Sequence, residues 1–386
     1  MAELLIKNGI LCNPDGKKTA VMDILVRDGK FSRIAKSIPA KKGMTVIDAK
    51  GKYIYPGMVD AHSHTGLSDF SINYHDYNEY CDPVTPHLRT IDAFNPMDET
   101  VRRTALGGVT TFATGPGSSN VLGGIFMVVK PVPGCKVVDD MVVEPALAMK
   151  AAFGENPRRC YAGKGISSRM TTAALLRESL FKAKEYDAKI EKAKKSKKDL
   201  PAFDMKLDAL RPVVRGEMTL KVHAHQANDL LTAIRIAKEF KLKITLDHCT
   251  EGHLIADELA ALDYPVAVGP TMGPVKKMEV REKSFVTPGI LAKAGCLVSI
   301  ITDADVMEQR YLPLMAAEAV NAGMDPLEAL KAITINPAKM LGLEKRIGSV
   351  EEGKDADFLI TSGDPIADFS RNVIERVFIN GLEYTR

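Results

Sequence analysis

Eight apolar segments of four to seven residues recur between residues 54 and 302, and they constrain the fold more than any other feature of the chain. Most are separated by stretches with helical patterning, which is typical of a parallel sheet with crossover helices. Eight such strands are the number that closes a (β/α)₈ barrel. The sequence therefore predicts an α/β protein built on a TIM barrel. The predicted strands are Ile54–Asp60, Val109–Thr114, Phe126–Val129, Leu147–Phe153, Leu220–His223, Ile244–His248, Pro265–Val268 and Leu297–Thr302.

Both chain ends show a different pattern, of short alternating strands separated by turns that contain Gly and Asp. Strands are predicted at residues 4–7, 22–26, 31–34 and 45–48, and again at 358–361 and 377–380. We therefore expect a small β-sandwich domain built from both termini, residues 1–55 and 345–386, beside a barrel over residues 56–344.

A highly charged, helix-prone stretch near residues 182–206 interrupts the alternation. We interpret it as a solvated surface helix and turn inserted before the fifth barrel strand. The alternative is a docking patch for an acidic partner.

The composition is that of an ordinary globular protein, with 45% apolar and 26% charged residues. A net charge of +3 over 386 residues indicates neither a nucleic acid nor an anionic membrane as partner. Residues 1–10 lack the pattern of a signal peptide and no apolar run approaches the length of a membrane span, so we expect a cytoplasmic protein. The six cysteines have no paired spacing, which is typical of reduced thiols.

Metal-binding side chains close four of the predicted strands. His62 and His64 follow the first strand, and residues two apart on a strand point to the same face. The other three clusters are His223 with His225, then His248, then Asp303. Because chemistry in barrels sits at the carboxyl ends of the strands, we expect these groups to meet. Imidazoles and a carboxylate are ligands for zinc, iron or manganese.

Several motifs together resemble the amidohydrolase superfamily, and within it the imidazolonepropionase-related and prolidase-like members. The resemblance runs nearly end to end, and it is specific because the motifs occur in a fixed order. It implies a metal-dependent hydrolase on a (β/α)₈ barrel. The motifs are Pro56–His64 (PGMVDAHSH), Gly108–Thr111 (GVTT), His223, His248, Thr302-Asp303, Asn336–Ala338 (NPA) and Gly348–Asp357 (GSVEEGKDAD).

The resemblance also implies roles for individual residues. His62, His64, His223, His248 and Asp303 match the family's metal ligands. A bound divalent cation, for which zinc is favoured, lowers the pKa of its water from about 15.7 to about 7 and polarises a carbonyl. Asp303 is then placed to take a proton from that water and return it to the leaving amine.

The number of metal ions depends on the fourth strand. Some family members bridge two ions with a lysine carboxylated by carbon dioxide, and Lys150 within the apolar strand Leu147–Phe153 is the candidate here. A buried lysine is costly unless it is paired or modified. The alternatives are Glu155 as the ligand, a single-metal site, or a Lys150 that extends out of the barrel.

The signals for substrate are weaker. Arg169, the Lys276-Lys277 pair and His225 are candidate contacts to a small-molecule substrate, the basic groups through a carboxylate. An N-acyl amino acid, a dipeptide or a cyclic amide would suit them. Imidazolonepropionase activity itself is not favoured, because Gln226 stands in the region after His223 where those enzymes carry a carboxylate.

Two other functions remain open from the sequence. One is a single-metal deaminase of the same superfamily, and Gln226 counts against it because deaminases add a glutamate in this region. The other is a non-catalytic barrel that acts as a scaffold, although the ligand set is complete. A homo-oligomer is possible by analogy with the superfamily alone.

Overall fold

The apolar segments form two β-sheets in this computed structural model, which describes residues 3–15, 20–68 and 75–385. The sheet that carries the predicted barrel strands has eight strands in chain order. These strands are Met58–Ser63 (β6), Val109–Thr114 (β7), Leu122–Val129 (β8), Val142–Ala152 (β9), Thr219–Ala224 (β10), Ile244–His248 (β11), Val266–Val268 (β12) and Val298–Ile300 (β13).

The sheet nearly closes on itself. The backbone N–H of Asp303, just after β13, donates to His62 O in β6 over 3.2 Å. The N–H of His64 donates to Ala304 O over 2.5 Å. The first and last strands therefore meet at their carboxyl ends, where the predicted polar clusters lie.

One strand runs against the prediction of a parallel sheet. β8 pairs antiparallel with both β7 and β9, whereas the other neighbouring pairs are parallel. Only residues 115–121 connect β7 to β8, which is too short for a crossover helix. The chain therefore doubles back at this point.

The predicted first strand, Ile54–Asp60, is divided between the two sheets at Gly57. Tyr53–Pro56 (β5) belongs to the second sheet, and β6 begins at Met58. A Cβ at Gly57 would collide with the side chain of Thr110, so the two backbones approach here as only glycine allows.

The second sheet takes strands from both chain ends. Phe358–Thr361 (β14) pairs antiparallel with β5, which joins the two ends, and the hydrogen bonds link all eight strands into one sheet. Phe358 and Phe378 stack at 4.4 Å in its apolar core. Its strands are Leu4–Leu11 (β1), Ala20–Arg27 (β2), Lys30–Ala35 (β3), Thr45–Asp48 (β4), Tyr53–Pro56 (β5), Phe358–Thr361 (β14), Ile374–Ile379 (β15) and Leu382–Tyr384 (β16).

Helices cover the outside of the eight-stranded sheet that contains β6 to β13. The charged stretch near residues 182–206 forms the end of the 28-residue helix Arg169–Ser196 (α3) and the turn into the helix Met205–Val214 (α4). Arg211 of α4 and Arg215, which directly follows it, pair with Asp187 and Glu191 of α3, so these two acidic side chains help to hold the two helices together. The helices are Glu99–Leu106 (α1), Glu155–Cys160 (α2), Arg169–Ser196 (α3), Met205–Val214 (α4), Ala227–Phe240 (α5), Ala256–Ala260 (α6), Thr287–Lys293 (α7), Leu312–Asn321 (α8), Pro326–Ala332 (α9) and Ile335–Met340 (α10).

All six cysteines are free thiols, as predicted. Among the described helices, none combines the length and apolar character needed to cross a membrane.

A buried ion pair links the two sheets. Lys130, next to the end of β8 and 2% exposed, lies 2.8 Å from carboxylate oxygens of both Asp355 and Asp357. We expect Lys130→Met to lower the free energy of unfolding by about 3 kcal/mol, because it leaves the buried Asp357 carboxylate without its cation, whereas Asp355 keeps Lys30 and Arg346. Urea unfolding measures this, with the exposed Lys136→Met as control. Equal stability of the two variants would contradict the expectation.

Candidate metal centre

Imidazole rings from three strands meet at the carboxyl end of the sheet. The ring centroids of His62 and His248 lie 5.1 Å apart, and those of His223 and His248 lie 4.3 Å apart. All three side chains are buried. The strand-end histidines predicted from the sequence are therefore close neighbours.

Two overlapping groups have the spacing of metal ligands. One consists of His223, His225 and His248, the other of His62, His248 and Asp303, and the ligand atoms within each group lie within 4.8 Å of one another. His64 completes the second group, because its Nε2 is 3.3 Å from Asp303 Oδ1. The structure thus brings together the five strand-end ligands predicted, and His225, also named from the sequence, lies beside them.

Unusual backbone conformations aim two of these residues inward. His248 has φ 75° and Asp303 has φ 51°, in the left-handed region that non-glycine residues rarely adopt. At the end of β11, this lets consecutive residues, Asp247 and His248, both face the interior, which regular strand alternation forbids. Such strain is typical of functional sites.

The Nδ1 atoms of three site histidines are held by acceptors. Aspartate and carbonyl oxygens can only accept, so Nδ1 carries the proton and Nε2 is left with its lone pair. The pairs are His62 Nδ1 to Asp247 Oδ2 at 2.9 Å, His64 Nδ1 to Gly115 O at 2.7 Å and His248 Nδ1 to Gly269 O at 2.8 Å.

Other ring nitrogens have no protein partner. Both nitrogens of His223 and Nε2 of His248 are buried without a hydrogen-bond partner among the described residues. Burial, with His248 and His225 nearby, holds the pKa of His223 well below its usual value, so the ring is neutral. Buried polar atoms are costly to leave unpaired, and neutral imidazole is the form that binds metal. This donor set therefore fits a divalent metal ion.

The Asp303 carboxyl lies among three of the site histidines. Burial alone would raise the pKa of its carboxyl, but His248, His62 and His64 outweigh that effect and hold the pKa well below its usual range. Its side chain is 16% exposed, so it is both a candidate ligand and reachable from the mouth of the site.

Lys150 points into the sheet interior rather than out of it. Its Nζ lies 3.3 Å from His62 Nε2, the side chain is fully buried, and burial lowers its pKa to about 8. Glu155, the rival candidate, begins α2 and belongs to neither ligand group.

Sequence reasoning missed two charged residues beneath the histidines. Asp247 is fully buried, and Lys221 Nζ donates to its Oδ1 over 3.0 Å. Burial would raise the pKa of Asp247, but Lys221 and His62 outweigh it and lower the pKa. Lys221 lies two residues before His223 on the same strand, so strand alternation places both side chains on the inner face. The sequence therefore did contain a signal for Lys221.

Tyr77 is a third residue that sequence reasoning missed. Its ring stacks on His64 at 4.7 Å between centroids, and its hydroxyl donates to the Asp305 carboxylate at 3.1 Å. It lies in the long segment after the first strand, where no periodic pattern marks one residue above another.

The basic residues predicted to contact the substrate differ in their surroundings. Arg169, at the start of α3, is occupied by Asp229, with its Nε 3.0 Å from both carboxylate oxygens. Lys276 is exposed on the loop after β12. Its neighbour Lys277 turns inward instead and lies 2.6 Å from Glu279 Oε1. Consecutive loop residues diverge in direction, which no sequence pattern revealed.

Comparisons with known proteins agree with this geometry. The model of the amidohydrolase family matches residues 53–383. Among curated proteins, amidohydrolase tasK of Hapsidospora irregularis is 27% identical over 89% of this chain and 38% of its own length. An adenine deaminase of Lactobacillus delbrueckii subsp. bulgaricus is 27% identical over 99% of this chain and 59% of its own length. This chain thus spans less than two thirds of the length of either relative.

A solved structure extends the similarity to the whole fold. The structure of an amidohydrolase from Thermotoga maritima MSB8 covers 99% of this chain, and this chain covers 100% of it. The sequences are 39% identical and the TM-score is 0.95. The resemblance predicted from the motifs is therefore confirmed, and the chain belongs to the amidohydrolase family.

Proposed function

We propose that this chain is a metal-dependent hydrolase that cleaves an amide or other C–N bond of a small molecule. The observation that carries the proposal is the convergence of His62, His223, His248 and Asp303 around buried, unpartnered imidazole nitrogens. An N-acyl amino acid, a dipeptide and a cyclic amide are the substrate classes we would test.

We infer that zinc is the metal and that two ions can be held. His248 belongs to both ligand groups, so the groups define adjacent positions. Lys150 lies next to the second ligand group, because its Nζ is close to His62 Nε2. A carbamate on Lys150 would supply the anionic bridge that two divalent cations need. His64 and Asp303 would complete the coordination on the side of the first strand.

Each nearby group has a distinct task in the reaction. His62, His64, His223, His248 and Asp303 would hold a divalent cation, which would supply an activated water and polarise the carbonyl of the substrate. Asp303 would take a proton from that water and return it to the leaving amine. Asp247, Gly115 and Gly269 hold the rings of His62, His64 and His248 in orientation. His225 lies beside these ligands, where it can contact the substrate.

Elemental analysis of protein purified without added metal or chelator tests the proposal. We expect about two zinc ions per chain, and no more than about one in Lys150→Met, because that variant cannot form the bridging anion. The exposed Lys243→Met serves as control and should keep the metal content of the natural protein. A chain that stays free of metal after incubation with zinc and bicarbonate would refute the proposal.

A deaminase is the second candidate, favoured by the adenine deaminase relative that matches 99% of this chain. It would hold one metal ion and release ammonia rather than an amine or amino acid. Assay of ammonia from adenine, set beside the metal content, separates the two functions.

We also propose that the nearly closed sheet is the wall of a (β/α)₈ barrel, modified by its antiparallel third strand. The composite sheet of residues 1–55 and 345–386 would then be a separate small domain that packs against the barrel over residues 56–344.

A further inference from the structure

A polar cluster lies beside the histidines on the side of the loop after β12. We call it the Lys277 cluster, and it consists of Lys277, Glu279, Asn156 and His225. Lys277 Nζ lies 2.6 Å from Glu279 Oε1 and donates to Asn156 Oδ1 over 3.0 Å. Glu279 Oε1 in turn is 3.9 Å from His225 Nε2. The His225 ring lies 4.7 Å from that of His223 and 4.8 Å from that of His248, so the cluster adjoins the candidate metal ligands.

The ammonium group of Lys277 is held in place but keeps a donor to spare. Glu279 is 2% exposed, and it also accepts the backbone N–H of Glu155 over 2.6 Å, which fixes the carboxylate. Asn156 is anchored by Ser118, 2.7 Å away. An ammonium has three N–H donors, and among the described residues Asn156 accepts from one of them while Glu279 lies close as the counter-ion. A donor therefore remains for a ligand, and the side chain is 17% exposed.

The charge around the cluster favours an anion. Lys283 is a second, half-buried cation, and it interacts electrostatically with both Asp303 and His225. Glu279 pairs with Lys277 and Asp303 attracts Lys283, but both lysines also face the His225 ring. Cations next to a site for divalent metal repel it, and an anionic group from a ligand would relieve that repulsion.

We propose that Lys277, supported by Lys283, binds a carboxylate of the substrate and so restricts this hydrolase to acids such as N-acyl amino acids and dipeptides with a free carboxyl terminus. The inference rests on the proposed hydrolytic function and makes it more specific. It assigns the contact to neither Arg169 nor Lys276, since Arg169 is paired with Asp229 and Lys276 is exposed.

The test compares matched substrates on the zinc-loaded full chain. N-acetyl-L-alanine, N-acetyl-L-leucine and N-acetyl-L-phenylalanine are each paired with the corresponding carboxamide, and the ratio of kcat/KM within a pair measures the preference for a carboxylate. We expect the natural protein to prefer the acids by roughly tenfold or more, since a charge-assisted hydrogen bond is lost in the amide. Lys277→Gln should lose that preference mainly through a higher KM, and the adjacent Lys276→Gln should retain it.

Two further variants exclude a purely structural role. Lys277→Gln leaves Glu279 buried without its cation, so Lys277→Met combined with Glu279→Gln removes both charges together and should show the same loss of preference. Lys277→Arg keeps the charge and should keep much of the preference. If Lys277→Gln lowers Tm but leaves the ratio unchanged, the inference is wrong and Lys277 only supports the fold.

Binding separates this inference from the function on which it rests. Titration calorimetry with the same acids and carboxamides needs no turnover. Hydrolysis of neither member of any pair would count against the proposed function, while tighter binding of the acids, lost in Lys277→Gln, would still support carboxylate recognition. Equal binding of acids and carboxamides, or binding of neither, would overturn it.

Discussion

Replacing Asp303 with asparagine should lower kcat/KM for any substrate that the protein hydrolyses by about 10²–10⁴-fold, which is the usual contribution of a general acid or base. Asparagine has nearly the same shape and, like aspartate, tolerates the left-handed backbone at this position, φ 51°. The fold should therefore survive. What is lost is a group that can take a proton from water and return it to the amine, as well as one anionic metal ligand.

Asp263→Asn is the matched control, because Asp263 also has a left-handed backbone, with φ 53°, but is exposed and outside the site. Its kcat/KM should equal that of the natural protein. Both variants should be compared at saturating zinc, with metal content measured in parallel, so that a lost ligand is distinguished from a lost base. An Asp303→Asn variant that binds metal and retains full activity would remove Asp303 from the mechanism.

Replacing Asp247 with asparagine should weaken metal binding by about 10–100-fold, the usual effect of removing a partner that orients a metal ligand. Asp247 accepts the Nδ1 proton of His62 at 2.9 Å, which directs Nε2 towards the ion. An asparagine can present its amide nitrogen instead and allow the ring to rotate or change tautomer. The same change leaves Lys221 buried without a counter-ion, so the free energy of unfolding should fall by about 3 kcal/mol.

Two comparisons separate these effects. Combining Asp247→Asn with Lys221→Met removes both charges and should recover most of the stability, but the loss of metal affinity should persist. Asp23→Asn is a control for burial alone, because Asp23 is 2% exposed and pairs with Lys7 at 3.1 Å in the other sheet. It should lose stability without a change in zinc affinity, measured by competition with a chelator of known affinity. Equal zinc affinity in Asp247→Asn and the natural protein would show that Asp247 does not orient His62.

Much of the site was predictable because strand alternation and strand ends are visible in the sequence. His62, His64, His223, His248 and Asp303 each end an apolar run, and the carboxyl ends of neighbouring strands gather at one edge whatever their loops do. Lys150 was predictable for a related reason, since a lysine inside an apolar strand needs a partner. Lys221 could have been found in the same way, two residues before His223.

Other features depended on contacts between residues that are distant in the chain. An apolar run does not show in which direction its strand runs within the sheet, so the antiparallel course of β8 could not be predicted. It follows from the pairing of β8 with β7 and from the short connection at 115–121. Asp247 faces inward together with His248 only because the chain leaves the regular strand conformation at φ 75°. Loop residues lack periodicity, and so the inward turn of Lys277 rather than Lys276 could not be predicted.

The sequence by itself therefore determined the family, the alternation of strands and helices, and the set of side chains that can bind a metal, because each depends on local order along the chain. Only the tertiary structure decided the direction of β8, the support of His62 by Asp247 and Lys221, and the choice of Lys277 beside the histidines. The physical reason is that strand pairing and the partners of buried charges are contacts between residues distant in the chain, and local patterns do not encode such contacts.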